Sequence, residues 1–367
     1  MPPPAKEPLA DRPSYWLTRF LILRLLGLVY LFAFVSLARQ VLPLIGSHGL
    51  TPIAQFLENA QSYHGSRWEA FEHYPSLFWL GASDSQLLRL AWLGVGLSVP
   101  LLLGYANAIL LAVLWALYMS FVHVGQVWYG YGWEIELLET GFLAIFLCPL
   151  VDPRPFPGSS PPVPIVWLFR WLIFRIMLGA GLIKMRGDPC WWDLTCLYYH
   201  YETQPIPNPL SWYAHFMPRW FHRCGVLFNH ATELVAPWFA FGPRLARHAA
   251  GGLMVAFQVS LILSGNLSFL NYLTIVPVLA CFDDRLLGRL LPRPLTDRAA
   301  HAAATARSSK LQQAVAFAVV AIVALLSIDP ILNLFSPRQI MNTSFSALDL
   351  VNSYGAFGSV GRERHEI

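Results

Sequence analysis

The feature that most constrains this chain is a succession of runs of about 18–22 mostly apolar residues, each long enough to cross the roughly 30 Å hydrocarbon core of a bilayer as a helix. Composition agrees. Hydrophobic residues make up 56% of the 367 and charged residues only 13%, against about 25% charged in an ordinary soluble domain. A soluble protein of this length would need more charge to cover its surface. The 14 Trp and 14 Tyr tend to stand at the ends of the apolar runs, as interfacial aromatic belts do. The fold class expected is therefore an all-α membrane protein, a polytopic helical bundle of about nine transmembrane helices.

The spans are placed at residues 16–37, 87–104, 105–124, 133–150, 165–185, 227–241, 249–264, 267–282 and 311–328. The second and third meet at Gly104 and Tyr105, which predicts a tight hairpin. The span 227–241 is short and carries His230 and Glu233. The basic residues set the orientation. Arg285, Arg289, Arg293, Arg298, Arg307 and Lys310 crowd one loop, which the positive-inside rule makes cytoplasmic. Counting back places the N-terminus inside with Lys6 and Arg12, and puts Arg154, Arg244 and Arg247 on inside loops. Segments 38–86, 186–226 and 329–367 then face outward. The first residues lack an apolar core followed by a small-residue cleavage site, so the first helix is expected to act as its own insertion signal. The net charge of +4 sits in the inside loops and reports topology, not nucleic-acid binding. No fixed-period repeat stands out, and the Pro-rich stretch 152–164 reads as a stiff connection.

Two domains are expected: residues 1–328 in the membrane, and 329–367 as an outward-facing tail. The tail alternates polar and apolar residues with Gly-bearing turns, and reads as the start of a β-rich soluble domain that continues in a longer parent. In the first outward segment, IGSHGLTPIAQFLENAQ and SLFWLGASD read as short amphipathic helices on the membrane surface, with Trp68, Phe71 and Tyr74 as anchors. In the second, Cys190 and Cys196 form a C-x5-C pair on the side where an oxidising compartment would lie. That reads as a structural disulfide, with two free thiols as the alternative. No further Cys/His pair follows at ligand spacing, so no metal is expected. Cys148, Cys224 and Cys281 read as inert core residues. Asn342-Thr343-Ser344 is a glycosylation sequon on the outward side; Asn266-Leu267-Ser268 also matches but falls in a tight turn at the membrane.

Ionisable residues inside spans are costly, and so are candidates for function. WEIELLETGFLAIFL places Glu134, Glu136 and Glu139 in the outer half of the fourth span. The fifth span carries Arg170 near its inner end, Arg175 at mid-depth and Lys184 at its outer end. At 100° per residue, Arg170, Met177, Gly181 and Lys184 share one face and Arg175 and Gly179 another, and the glycines admit a close neighbour. Two readings stand. Glu139 and Arg175 form an interhelical ion pair that fixes packing, or they line a polar cavity open outward. Glu134 and Lys184, and Arg19 and Arg24 on the inner side, read as snorkelling to the interface. His230 and Glu233, three apart on a helix, could serve a metal or acid–base site but read as a local hydrogen bond. No Gly-rich phosphate loop, H-E-x-x-H or G-x-S-x-G motif is present, and no catalytic residue or cofactor is assigned.

The stretches WEIELLETGFLAIFL (133–147), RWLIFRIMLGAGLIKMRGDPCWWDLTCLYYHYETQPIPNPLSWY (170–213), NTSFSALDLVNSYGAFGSVGRER (342–364) and GLTPI (49–53) together resemble the lipase maturation factor family. The resemblance implies a membrane chaperone of the endoplasmic reticulum that helps secreted, lipoprotein lipase-type clients fold and assemble into active dimers. It implies secreted lipases and membrane lipid as partners, not nucleic acid, and an outward soluble domain after the last span. In a bacterial member the location would be the plasma membrane, with a lipase client an extrapolation. A remoter similarity in architecture, to the vitamin K-dependent carboxylase group, keeps open a membrane enzyme acting on a lipid-like or polypeptide substrate. Such an enzyme would need a cavity lined by Glu139, Arg175, Lys184 or His230.

Overall fold

A computed structural model describes residues 13–306 and 309–363. Lys6, Arg12 and Arg307, used above for orientation, lie outside the described residues. The first helix, α1 (Trp16–Ile45), is longer than the span expected from residue 16 to 37. Two short surface helices follow, α2 (Ile53–His64) and α3 (Arg67–His73), then a 3₁₀ turn at Leu77–Leu80. Trp68 is exposed beside them while Phe71 and Tyr74 are half-buried. Helices α4 (Asp84–Leu103) and α5 (Ala108–Val124) form the hairpin, and the Asn107 side chain caps α5 by accepting from the Leu110 N–H at 2.8 Å. Next come α6 (Gly132–Leu147) and α7 (Val163–Arg186).

The segment after α7 coils into α8 (Leu197–Thr203) and α9 (Pro209–His215). It then enters α10 (Arg219–His230), which does not continue as a straight helix. The chain winds into a π turn at Ala231–Val235 and a 3₁₀ turn at Ala236–Phe241. Pro237 has no N–H to extend the α ladder, so this region is a broken element, not the uniform helix expected over 227–241. Helices α11 (Arg244–Ser264) and α12 (Leu270–Val278) return across the bundle. Helices α13 (Asp284–Leu290) and α14 (Arg293–Thr305) lie at one end of it, and α15 (Lys310–Leu326) runs into α16 (Ile328–Phe335).

Among the described residues, five helices are long and apolar enough to cross a membrane: Trp16–Ile45, Asp84–Leu103, Val163–Arg186, Arg244–Ser264 and the joined Lys310–Phe335; Ala108–Val124 and Leu270–Cys281 are shorter apolar helices. With this composition the chain is an integral membrane protein. Helix α7 is its axis. Of its most apolar window 83% is buried inside the protein, against 28% for α4 and for Lys310–Phe335, whose remaining faces are left for lipid.

The bundle has two different ends. At the basic end, Asp284 caps α1 by accepting from the N–H groups of Trp16 at 2.9 Å and Leu17 at 2.8 Å. Beside it the buried Asp283 accepts from Arg244 at 2.8 Å and Arg247 at 3.1 Å. At the opposite end, Thr51 accepts from Trp128 at 2.9 Å and from Gln126 at 3.0 Å, joining the turns after α1 and α5. The tail lies at this end too. Its strands β1 (Thr343–Ser344) and β2 (Asn352–Ser353) pair antiparallel, Thr343 opposite Ser353. The described tail is packed on the helices: Gln339 donates to the Gly179 carbonyl at 2.9 Å, Trp191 to that of Phe357 at 2.9 Å, and Asp349 lies 3.3 Å from His123.

Candidate functional site, a polar cavity in the membrane bundle

Four of the charges singled out on α6 and α7, Glu136, Glu139, Arg175 and Lys184, gather toward the tail end of the bundle, in two ion pairs and a cavity. Arg175 donates to Glu139, both side chains 1% exposed. The pair is not closed on itself. Arg175 also donates to the Asn352 carbonyl at 2.5 Å. The second Glu139 oxygen accepts from the Asn352 N–H at 3.0 Å and the Tyr354 hydroxyl at 2.8 Å. Trp171 and Tyr354 lie 5.5 and 6.0 Å from the guanidinium, within cation–π range. Gly179 makes this possible, because the Tyr354 carbonyl occupies the space a Cβ would need. The close neighbour admitted here is the tail and not another helix. The ion pair that the sequence suggested therefore exists, with the tail as its third member.

The second pair joins Lys184 to Glu233, with both carboxylate oxygens 2.6 Å from the ammonium. Asn229 donates to the same carboxylate at 2.9 Å, and the Trp191 ring lies 5.2 Å from Nζ. The π turn carries Glu233 inward, and Gly181 leaves room for the Leu234 side chain beside it. Snorkelling is corrected at both ends of the bundle. Lys184 is 2% exposed, and Glu134 is buried, accepting from Tyr118 and from Trp133 at 2.9 Å. Arg19 donates to the Ser159 carbonyl at 3.0 Å, and Arg24 to those of Leu101 at 3.0 Å and Gly104 at 2.5 Å. Arg170 donates to the Ala280 carbonyl and the Tyr15 hydroxyl, both at 2.8 Å. The basic groups thus find protein acceptors and Glu134 finds protein donors.

The expected His230–Glu233 hydrogen bond is replaced by another. His230 Nε2 lies 3.0 Å from the Trp191 carbonyl, so that nitrogen must carry the proton. No group of three His, Cys, Asp or Glu able to hold a metal occurs among the described residues.

Between α6, α7, α11, α12 and the tail lies a cavity of about 280 Å³. Its polar lining includes Glu136, Lys184, Glu233, Gln258 and Asn271, and Met177, Phe257 and Leu261 contribute apolar wall. One Glu136 oxygen accepts from Thr274 at 3.0 Å, and Asn271 donates to Gln258 at 2.7 Å. Of the four residues tied to the enzyme alternative, Lys184 reaches this cavity; Glu139, Arg175 and His230 are not among its lining residues. Exposed Tyr131 and Asn342 sit at the rim. His200 also lines it, and burial, with Lys184 nearby, lowers its imidazole to about 4.

Several of these residues were not singled out in the sequence. Asn271 and Gln258 carry a signal in retrospect, as carboxamides within apolar helices. Nothing local in Asn352 or Tyr354 announces that they reach into the bundle.

Cys190 and Cys196 are disulfide-bonded and buried with Trp191, Val226 and Val360. Cys148 and Cys281 are buried as expected, but Cys224 is exposed on α10 and is not a core residue.

Comparison with known proteins settles the kinship. The profile described as "lipase maturation factor transmembrane domain" matches residues 17–289. The chain belongs to the lipase maturation factor family. Lipase maturation factor 1 of Bos taurus is 50% identical over the whole chain and 70% of its own length. The Homo sapiens protein of that name is 50% identical over 96% of the chain and 66% of its own length. Lipase maturation factor 2 of Rattus norvegicus is 38% identical over 73% of the chain and 40% of its own. The chain thus spans about two thirds of the factor 1 relatives, and the aligned region includes every residue of the two ion pairs and the cavity. No solved structure matches it.

Proposed function

We propose that this chain is the membrane-embedded part of a maturation factor that brings secreted lipases, of the lipoprotein lipase type, to their folded, active form. The observation that carries this reading is the 50% identity, along the entire chain, to proteins named lipase maturation factor 1. In this reading nine segments cross the bilayer: α1, α4, α5, α6, α7, residues 227–241 of the broken element, α11, α12 and α15. The basic end with Arg244, Arg247 and Asp283 is cytoplasmic, and residues 38–86, 186–226 and 329–367 face the lumen or exterior. The two-ended arrangement of the bundle supports that topology, because the Arg-rich segments gather at one end and the tail and disulfide at the other. Residues 1–328 form the membrane domain and 329–367 the outward tail, with Asn342 available for glycosylation in a eukaryotic host. The membrane is that of the endoplasmic reticulum in a eukaryote and the plasma membrane in a bacterium.

The test is complementation. Cells lacking their own maturation factor are given this chain together with lipoprotein lipase, and secreted lipase activity per mass of lipase is measured. Restored specific activity supports the reading. Unchanged activity, with the chain shown to be folded in the membrane, overturns it for the chain as it stands.

The cavity favours a second reading, an enzyme acting inside the membrane, because it brings the Lys184 ammonium and two carboxyl groups into one half-open space. Replacing Lys184 and Glu233 together by apolar residues of similar volume separates the two. If the folded double variant still matures its client, the charges serve structure; if it is folded and inactive, they serve a site.

A further inference from the structure

One carboxyl group on the cavity wall has no basic partner. Among the described residues, five acidic side chains are buried at the tail end of the bundle: Glu134, Glu136, Glu139, Glu233 and Asp349, the last 3.3 Å from His123. Arg175 neutralises Glu139 and Lys184 neutralises Glu233. Glu134 is satisfied by two neutral donors, Tyr118 and Trp133. Glu136 differs from the other four. It is 1% exposed to bulk solvent, it lines the cavity, and Thr274 is its one hydrogen-bond donor among the described residues. A carboxylate can accept about four hydrogen bonds, and a buried one without a countercharge is costly. The basic groups on the cavity wall are Lys184, already paired with Glu233, and His200.

Aromatic rings line the same space, among them Trp133, Trp191 and Tyr354, and the faces of such rings attract cations. Ile176, Met177, Phe257 and Leu261 supply an apolar wall for a hydrocarbon chain. The volume, about 280 Å³, lies at the low end of small-molecule pockets, which suits a compact head with one short or partly inserted chain. An anionic head would meet two carboxylates and an ammonium already taken.

We propose that this cavity binds the protonated amine of a small amphiphile, its ammonium against Glu136 and its hydrocarbon along Met177, Phe257 and Leu261. The inference stands independently of whether the chain matures lipases. The amine could be free or belong to the head of a membrane lipid, and the chemistry of recognition is the same.

The test uses the full chain in phosphatidylcholine nanodiscs, with saturable binding of radiolabelled octylamine measured against competing octylamine, octanol and octanoate. The expected result is one site at which octylamine competes at least tenfold better than octanol or octanoate. Glu136→Gln should weaken octylamine binding at least tenfold and leave that of octanol unchanged. Ala180→Trp, which fills the cavity from α7, should abolish saturable binding. Replacing part of the phosphatidylcholine with phosphatidylethanolamine distinguishes the sources: competition by that lipid assigns the head of the lipid, and its absence assigns a free amine. Both of those results uphold the site. Equal competition by octylamine and octanol in the unmodified protein overturns it, as does the absence of saturable binding, and neither depends on a variant folding.

Discussion

Glu139 and Arg175 show how a buried charge becomes affordable. Neither could stay ionised alone in this bundle, and the pair leaves capacity that Asn352 and Tyr354 complete. Arg175→Met should destabilise the protein by about 3–5 kcal/mol, because Glu139 is left buried without its cation. The double variant Glu139→Leu, Arg175→Met should recover a large part of that loss. Thermal unfolding in detergent measures both, and a double variant as unstable as the single one would show the pair does more than balance charge. His200 gives a second prediction at this scale. Its folded-state value of about 4 lies below the roughly 6.5 of an unfolded imidazole. As pH falls below 6.5 the unfolded chain takes up the proton first, so stability declines through that window and levels off near 4. His200→Gln should flatten the decline in unfolding curves recorded between pH 7 and 4; an unaltered slope would assign it to other groups.

Among the elements, the segment from α7 to α10 does the most to shape the cavity. Its disulfide closes a loop of six residues against Trp191 and Val226. Replacing both cysteines by serine should cost about 2–3 kcal/mol at most on the chain-entropy account, since so short a loop removes little freedom from the unfolded chain. Denaturant unfolding under non-reducing conditions checks this, and a loss well beyond that range would mean that the buried sulfurs act mainly through packing. The broken element 219–241 has a different role. Its π turn brings Glu233 and Asn229 against Lys184, which an unbroken helix of the same residues would not do in the same register. The proposed topology is tested at this scale as well. Single cysteines at 205 and 293, in a chain whose exposed Cys224 has been replaced, should label from opposite sides of sealed vesicles. Labelling from the same side would end the nine-span arrangement.

At the scale of the whole molecule, the tail is a structural part of the bundle. It supplies partners to Glu139 and Arg175, and Tyr354, Gly355 and Phe357 to the cavity wall. It also holds α7 through Arg186, which donates to Gln339 and to the Leu334 carbonyl, both at 2.7 Å. A chain shortened to end at Phe335 should therefore unfold at a clearly lower temperature, with Glu139 and Arg175 newly open to water. An unfolding temperature equal to that of the full chain would mean that the tail rests on the bundle without bracing it.

What the sequence determined by itself follows from local physics. Apolar runs of bilayer length specify helices in lipid, because every backbone group must be satisfied within the segment. Arg285 to Lys310 mark one end of the bundle, and a C-x5-C pair is close enough in the chain to bridge once the segment between turns back on itself, as it does here. Even the Glu139–Arg175 pair was legible, since mid-depth charges on successive antiparallel helices fall at similar heights. The tertiary structure decided what depends on distant segments meeting. That Lys184 turns to Glu233 and not to the interface rests on a π turn 49 residues away. That Glu136 faces a cavity rests on how α11 and α12 pack against α6 and α7. That the residues from 342 to 357 insert among helices, where alternation suggested a separate strand, rests on buried charges with spare hydrogen-bonding capacity, and a linear pattern carries no record of which partner will fill it.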